Sequence, residues 1–138
     1  MKRTVAVKMG IRENSRAIFI SPPPDAIENM ELPALDTSTR LQGKFDYIHL
    51  FCTTQKEFNK RFSKLKSHLA VGGMLWVSWP KGGKLDTDLN IKIVIKLGYG
   101  FGLVESTALS INPIWSGLKF THPKKGKVYS NSYGQLKI

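Results

Sequence analysis

"FDYIHLFCTTQKEFNKRFSKLKSHLAVGGMLWVSW", Phe45 to Trp79, decides the fold. Its two ends, "FDYIHLFCT" (Phe45–Thr53) and "GMLWVSW" (Gly73–Trp79), are nearly unbroken apolar runs. Runs of that kind belong to strands covered on both faces, as in a parallel sheet. Between them Phe58, Phe62, Leu65 and Leu69 fall at i, i+4, i+7 and i+11, one face of an amphipathic helix, while Lys56, Lys60 and Lys64 line the opposite face. The spacing predicts a helix from Gln55 to Ala70, ended by Gly72-Gly73. Strand, helix and strand in so short a span make a βαβ unit, whose crossover is expected to be right-handed.

Upstream, "RAIFIS" (Arg16–Ser21) is β-branched and aromatic and stops at Pro22, Pro23 and Pro24. In the stretch that follows, "DAIENM" predicts a short helix, "LPALDT" a short strand, and Gly43 with its polar neighbours a loop. Downstream, a second helix is expected from about Asp86 to Leu97. Asp86 or Thr87 would cap it, Asp88 would favour the positive end of its dipole, and Gly98 and Gly100 would close it. Leu89, Ile93, Val94 and Leu97 form its buried stripe. Two further strands, "FGLVESTALSI" (Phe101–Ile111) and "SGLKFTHP" (Ser116–Pro123), flank a hairpin turn at "NPIW".

The pattern predicts an α/β, Rossmann-like three-layer sandwich, with a mostly parallel sheet and an antiparallel C-terminal hairpin. Residues 1–123 form a single domain, and 124–138 read as a basic, polar tail with room for one late strand. At 138 residues the chain is one domain of ordinary size. Its single cysteine, Cys52, forms no intrachain disulfide and fits a reducing compartment. Lys8 interrupts the apolar run near the start and no small-residue cleavage site follows, which argues against a signal peptide. No apolar stretch approaches a membrane span, so a cytoplasmic protein without membrane contact is expected.

Two sets of residues carry a resemblance. Asp46 in "FDYIHLF", then Leu65, Leu69, Gly72, Gly73 and Leu75 in "LKSHLAVGGML", resemble the second half of class I S-adenosylmethionine-dependent methyltransferases. There an Asp near the start of the fourth strand precedes an L-x-x-L-x-x-G-G-x-L run into the fifth. More closely, Lys8–Arg12 ("KMGIR"), Trp76–Lys81 ("WVSWPK"), Thr87–Leu89 ("TDL") and Trp115–Phe120 ("WSGLKF") are similar to a bacterial family of unknown function with a methyltransferase-like core. The resemblance implies the fold. It also implies a departure, because methyltransferases carry an acidic-x-Gly-x-Gly loop after the first strand, whose glycines let backbone approach the cofactor. Here that position holds the triproline, with fixed φ and no N–H to donate.

The chemistry-bearing residues point to binding rather than catalysis. "PKGGK" (Pro80–Lys84) is not a P-loop, since Leu85 follows Lys84 where a hydroxyl is needed. The loop does follow the carboxyl end of a buried strand, the edge at which open α/β sheets bind ligands, so Lys81 and Lys84 are candidates to hold an anion. Trp76 and Trp79 have opposite parity and face opposite sides of the sheet. Trp79 at the strand end, and Trp115 beside Pro113, either pack or stack on a bound ring. Asp25, Thr53 and Thr54 complete the candidate crevice; Asp25, Asp86 and Asp88 are the carboxylates placed for acid–base work, each with a capping or turn role as the alternative.

His49, His68, His122 and Cys52 show no metal-ligand spacing, and His49 and Cys52 face opposite ways on one strand. No metal, cofactor or catalytic residue is expected. The net charge of +11 permits nucleic acid as a partner, although no base-reading motif is present. The expected function is a non-catalytic methyltransferase-like module binding a small anionic ligand or a protein partner. The alternatives are a nucleic-acid-associated basic protein and an atypical S-adenosylmethionine-dependent methyltransferase.

Overall fold

The computed structural model describes residues 3–124, 128–131 and 134–137. In chain order the elements are α1 (Val5–Met9), β1 (Arg16–Ile20), α2 (Ala26–Met30), β2 (Asp36–Thr37), β3 (Phe45–Phe51), α3 (Gln55–Ser67) and β4 (Leu69–Pro80). A run of tight turns (Lys81–Asp86), α4 (Ile91–Gly100), β5 (Val104–Ser110), β6 (Trp115–Thr121), β7 (Val128–Asn131) and β8 (Gly134–Lys137) follow. Six strands form one sheet in the order β2-β1-β3-β4-β6-β5, while β7 and β8 pair with each other. β2, β1, β3 and β4 run parallel; β6 is antiparallel to both β4 and β5. This is the expected Rossmann-like architecture, mostly parallel with an antiparallel C-terminal hairpin. Within the expected tail, Lys125 and Lys127 lie outside the described residues.

Because side chains alternate along a strand, the sheet builds two cores. Ile48, Leu50, Leu75, Val77 and Trp79 face α3 and α4, packing on Phe58, Phe62, Leu65 and Val94. Ala17, Tyr47, Phe51 and Trp76 face α1 and α2, against Ala6, Met9, Ala26 and Met30. Trp76 and Trp79 therefore do lie on opposite faces. Phe58 and Phe62 stack with ring centroids 4.5 Å apart, and Phe62 meets Phe120 edge to face at 5.5 Å. Each such fully buried ring contributes about 1.5–3 kcal/mol of transfer free energy.

Four local expectations are corrected. The helix after β3 ends at Ser67 rather than at the glycine pair. Leu69, one position past the capping His68, is the first residue of β4 and sits opposite Phe45. One residue of β3 (Asp46) then faces four of β4 (Ala70–Gly73) before Tyr47 meets Met74, so the glycines form a bulge. Gly72 has φ +80°, and a Cβ on Gly73 would lie 3.0 Å from the carbonyl oxygens of both Ala70 and Phe45. Helical periodicity carried through Leu69 because a buried residue at i+11 satisfies either element.

The second helix begins at Ile91, capped by Asn90, whose side chain accepts from the Ile93 N–H. Asp86 has φ +55° and belongs to the preceding turns, and Asp88 bonds elsewhere. Gly98 lies inside α4, where the helix rides directly over Phe120, and Gly100 is the last residue of the helix. The short helix α1, capped by the Thr4 hydroxyl, was not anticipated. The "LPALDT" strand is reduced to Asp36–Thr37.

Candidate functional site

Strand order around β1 fixes where to look. The chain leaves β1 for β2 on one side, then returns to place β3 and β4 on the other. In open α/β sheets ligands sit outside the carboxyl ends of the strands at such a reversal. Those ends are Ile20, Phe51 and, one strand further, Pro80.

At the reversal itself three prolines lack a backbone donor, and several neighbouring N–H groups are engaged within the chain. After β1, Ser21 adopts φ +56° and the exposed Pro22 and Pro24 flank a half-buried Pro23, three residues that offer no N–H. After β3, the Thr53 N–H donates to a Glu57 carboxylate oxygen (3.2 Å) and the Thr54 hydroxyl accepts from the Glu57 N–H (3.1 Å), which caps α3. The Gln55 N–H donates to the Asp88 carboxylate (2.8 Å), and the Thr87 hydroxyl donates to the Thr53 carbonyl (2.5 Å). The segment before α4 is thus sewn onto the end of β3. A cofactor seat needs free, approachable amides here, and these residues do not fit the amino-acid end of S-adenosylmethionine.

The end of β4 is different. A cavity of 420 Å³ opens there between the Lys81–Asp86 turns, the start of α4 and the β5–β6 hairpin. Trp79, Leu89, Ile91 and Leu109 give it an apolar lining, with Gly82 and Gly83 along one side and Asn90 at the helix start. Gly82 and Gly83 take φ +53° and +75°, conformations glycine adopts freely. Leu85 and Asp86 also take φ +55° without that freedom. A left-handed Leu costs about 1–2 kcal/mol, and Leu85 is in addition 60% exposed. The Lys81 ammonium donates to the Ser110 hydroxyl (2.5 Å), which anchors its side chain to the hairpin.

Of the sequence-derived candidates, the structure brings together Trp79 and Lys81. Lys84 is exposed on the turns, outside the cavity lining. Asp25 stands exposed at the start of α2 and makes no capping bond through its side chain. Thr53 and Thr54 are engaged in the α3 cap. Trp115 is buried on the other face, edge-on to Phe51 at 5.5 Å. Asp46, the residue shared with the methyltransferase pattern, lies at the opposite edge of the sheet and accepts from the Arg16 N–H (2.9 Å).

One buried constellation had no counterpart in the sequence reading. The Tyr47 hydroxyl lies 2.6 Å from His49 Nδ1, and His49 Nε2 lies 2.7 Å from Ser78 Oγ, all three residues wholly buried. Burial lowers His49 to a pKa of about 3, so it is neutral, and raises that of Tyr47. The ring stacks on Phe51 at 4.2 Å. Tyr47 and His49 are two apart on β3 and Ser78 pairs with Phe51 across the sheet, so the only sequence signal was shared parity on two strands. Cys52, on the α3 face, is pushed up to about 12 by burial, assisted by Glu57. Among the described residues no cluster of His, Cys, Asp or Glu could hold a metal ion. Nor is any helix among them long and apolar enough to cross a membrane.

Comparison with known proteins fits this geometry at the level of the fold. No protein-family model matches the chain, and no curated protein matches its sequence. Solved methyltransferases do match in structure. Magnesium protoporphyrin IX methyltransferase (ChlM) from Synechocystis PCC 6803, with bound SAH, superposes with TM-score 0.60 at 12% identity, over 85% of this chain and 78% of that one. A S-adenosylmethionine-dependent methyltransferase from Clostridium acetobutylicum ATCC 824 gives 0.57 at 8% identity, over 86% and 88%. The ribosomal protein L11 methylase from Lactobacillus delbrueckii subsp. bulgaricus gives 0.56 at 10% identity, over 87% and 76%. At such identities the likeness shows a methyltransferase-like fold.

Proposed function

We propose that this chain is a methyltransferase-fold binding protein whose ligand seat is the cavity at the end of β4, not the strand-order reversal beside β1. Membership in the bacterial family with the "WVSWPK" and "WSGLKF" signatures is part of that proposal. The ligand is a small organic anion with an apolar body. Its ring or chain lies on Trp79, Leu89 and Leu109, and its charge faces the Gly82–Gly83 backbone and the start of α4. One observation carries the reading. The Thr53, Gln55 and Glu57 N–H groups at the reversal are spent on the α3 cap and the Asp88 seam and the triproline offers none, whereas a preformed 420 Å³ space lies one strand away. The consecutive left-handed residues Leu85 and Asp86 in the adjoining turns support it, because conformational strain of that kind concentrates at ligand sites.

The test is a thermal-shift titration with aromatic carboxylates, nucleoside monophosphates and S-adenosylmethionine. A ligand at a hundredfold excess over its Kd stabilises the folded chain by about 2.7 kcal/mol. Ile91→Glu places a carboxylate at the cavity mouth, at a helix start that tolerates acid, and is expected to abolish the anion's effect while leaving the unliganded melt nearly unchanged. Stabilisation by S-adenosylmethionine that survives Ile91→Glu would refute the proposal in favour of an atypical methyltransferase.

A further inference from the structure

On the face of β1 that looks toward α3, Ile18 is buried but Ile20, nearer the strand end, is only partly covered. Parallel strands are normally buried on both sides. The Ala17 face of β1 is packed by α1 and α2. On the Ile18 and Ile20 face, between β2 and α3, the chain connects β2 to β3 by a loop instead of a helix. A groove of 540 Å³ remains, with the partly exposed Ile20 and Leu41 on its floor above the buried Ile18 and Leu65, and walled by Lys60 and Lys64, with Arg61 beside them. Pairing with β2 stops at Ala17–Thr37, so Ile18–Ile20 has a strand neighbour on the β3 side alone.

We propose that this groove docks an acidic amphipathic helix of a partner protein. The position is that of a helix in the outer layer of the sandwich, alongside α3. The 13-residue α3 is about 20 Å long, so a partner helix of about three turns matches it. Charge selects its chemistry. Lys60 and Lys64 are one turn apart on the groove wall and exposed, and among the described residues neither side chain has a hydrogen bond or ion pair. Nearby cations are spent differently: Lys44 donates to the Ser67 carbonyl, Lys66 to the Phe101 carbonyl, and Arg16 lies over the Phe45 ring. The unneutralised charge is thus concentrated where a docked helix would present its flanks. The partly exposed Ile20 and Leu41 fit Leu or Ile side chains, and no aromatic residue lines the groove on which a nucleic-acid base would stack.

The probe is a fluorescein-labelled peptide with Leu at i, i+3, i+4 and i+7 and Glu elsewhere, followed by anisotropy at low and at moderate salt, with oligo-uridylate as the competing ligand. Peptide binding is expected to weaken with salt and to fall about tenfold or more in Lys60→Glu/Lys64→Glu, an exposed double variant that keeps the fold. Ile20→Asp is expected to lose binding as well. If that variant fails to fold, methyl NMR of the intact chain supplies the readout, with peptide-induced shifts expected at Ile18, Ile20 and Leu41. Three results overturn the proposal: no peptide binding at low salt, shifts confined to residues away from the groove, or preference for oligo-uridylate with no shift at the Ile20 methyls.

Discussion

Acidifying the protein should erode its stability through one residue, His49. Its ring is wholly buried, neutral, and held between the Tyr47 hydroxyl and Ser78. Burial puts the folded pKa at about 3, below the ordinary value of 6.5. Between those values the unfolded chain binds a proton that the folded chain refuses, so the contribution of His49 is complete above about pH 6.5 and is lost as the pH falls. The slope is about 1.4 kcal/mol per pH unit, or about 2 kcal/mol between pH 6.5 and pH 5, and the whole window to pH 3 is worth about 5 kcal/mol. That is comparable with the total stability of an ordinary domain, about 5–15 kcal/mol. Tyr47 stays protonated throughout, because its own shift is upward.

The assay is urea unfolding followed by tryptophan fluorescence at pH 7, 6, 5 and 4, on the wild type and His49→Gln. The variant starts lower at pH 7, by about 1–3 kcal/mol for the disturbed buried hydrogen bonds. The exposed groups titrate alike in both proteins, so they cancel in the difference. The gap between the two should close by about 2 kcal/mol by pH 5. Parallel pH profiles would mean that His49 is solvated or charged in the folded chain, and the Tyr47–His49–Ser78 chain would have to be redrawn.

Three further outcomes follow from the packing. In α4 a Cβ on Gly98 would fall 2.1 Å from the Phe120 ring, whereas one on Gly100 would meet open space. Gly98→Ala should therefore destabilise by about 1–3 kcal/mol, and Gly100→Ala should stabilise by up to about 1 kcal/mol, opposite signs in the same thermal-melt comparison. Cys52, with its thiol at about 12 and 2% exposed, should resist Ellman's reagent at pH 8 until the chain unfolds; rapid native labelling would contradict its burial. Thr54→Ala removes the α3 cap and should cost about 1 kcal/mol while leaving ligand affinity at the β4 cavity intact, and a loss of that affinity would return Thr54 to the binding site.

The architecture was legible because periodicity is a local property. Phe45–Trp79 alternates apolar strand, amphipathic helix and apolar strand, the pattern of a parallel sheet with a helix packed on its face. Boundaries were read less well where one residue satisfies two elements. Leu69 completes the α3 stripe and also begins β4, and the choice was made by its pairing with Phe45, 24 positions earlier in the chain. Of the residues lining the proposed cavity, Trp79 and Lys81 were legible, because they share the end of one strand. Thr53, Thr54 and Asp88 carry hydroxyls and a carboxylate suited to a ligand or to a helix cap. Only the approach of the Thr87–Asp88 segment to the end of β3 shows that they hold each other.

Composition and spacing by themselves therefore determined the layered α/β fold, the two faces of the Trp76–Trp79 strand and the triproline after the first strand, which only the resemblance to methyltransferases turns into a departure. Each of these depends on residues within a few positions of one another. The neutral histidine between Tyr47 and Ser78, the cavity beyond β4 and the basic groove beside β1 were decided by tertiary structure. Each is assembled from segments far apart in sequence, and the free energy of burying or pairing a polar group depends on what those distant segments place around it.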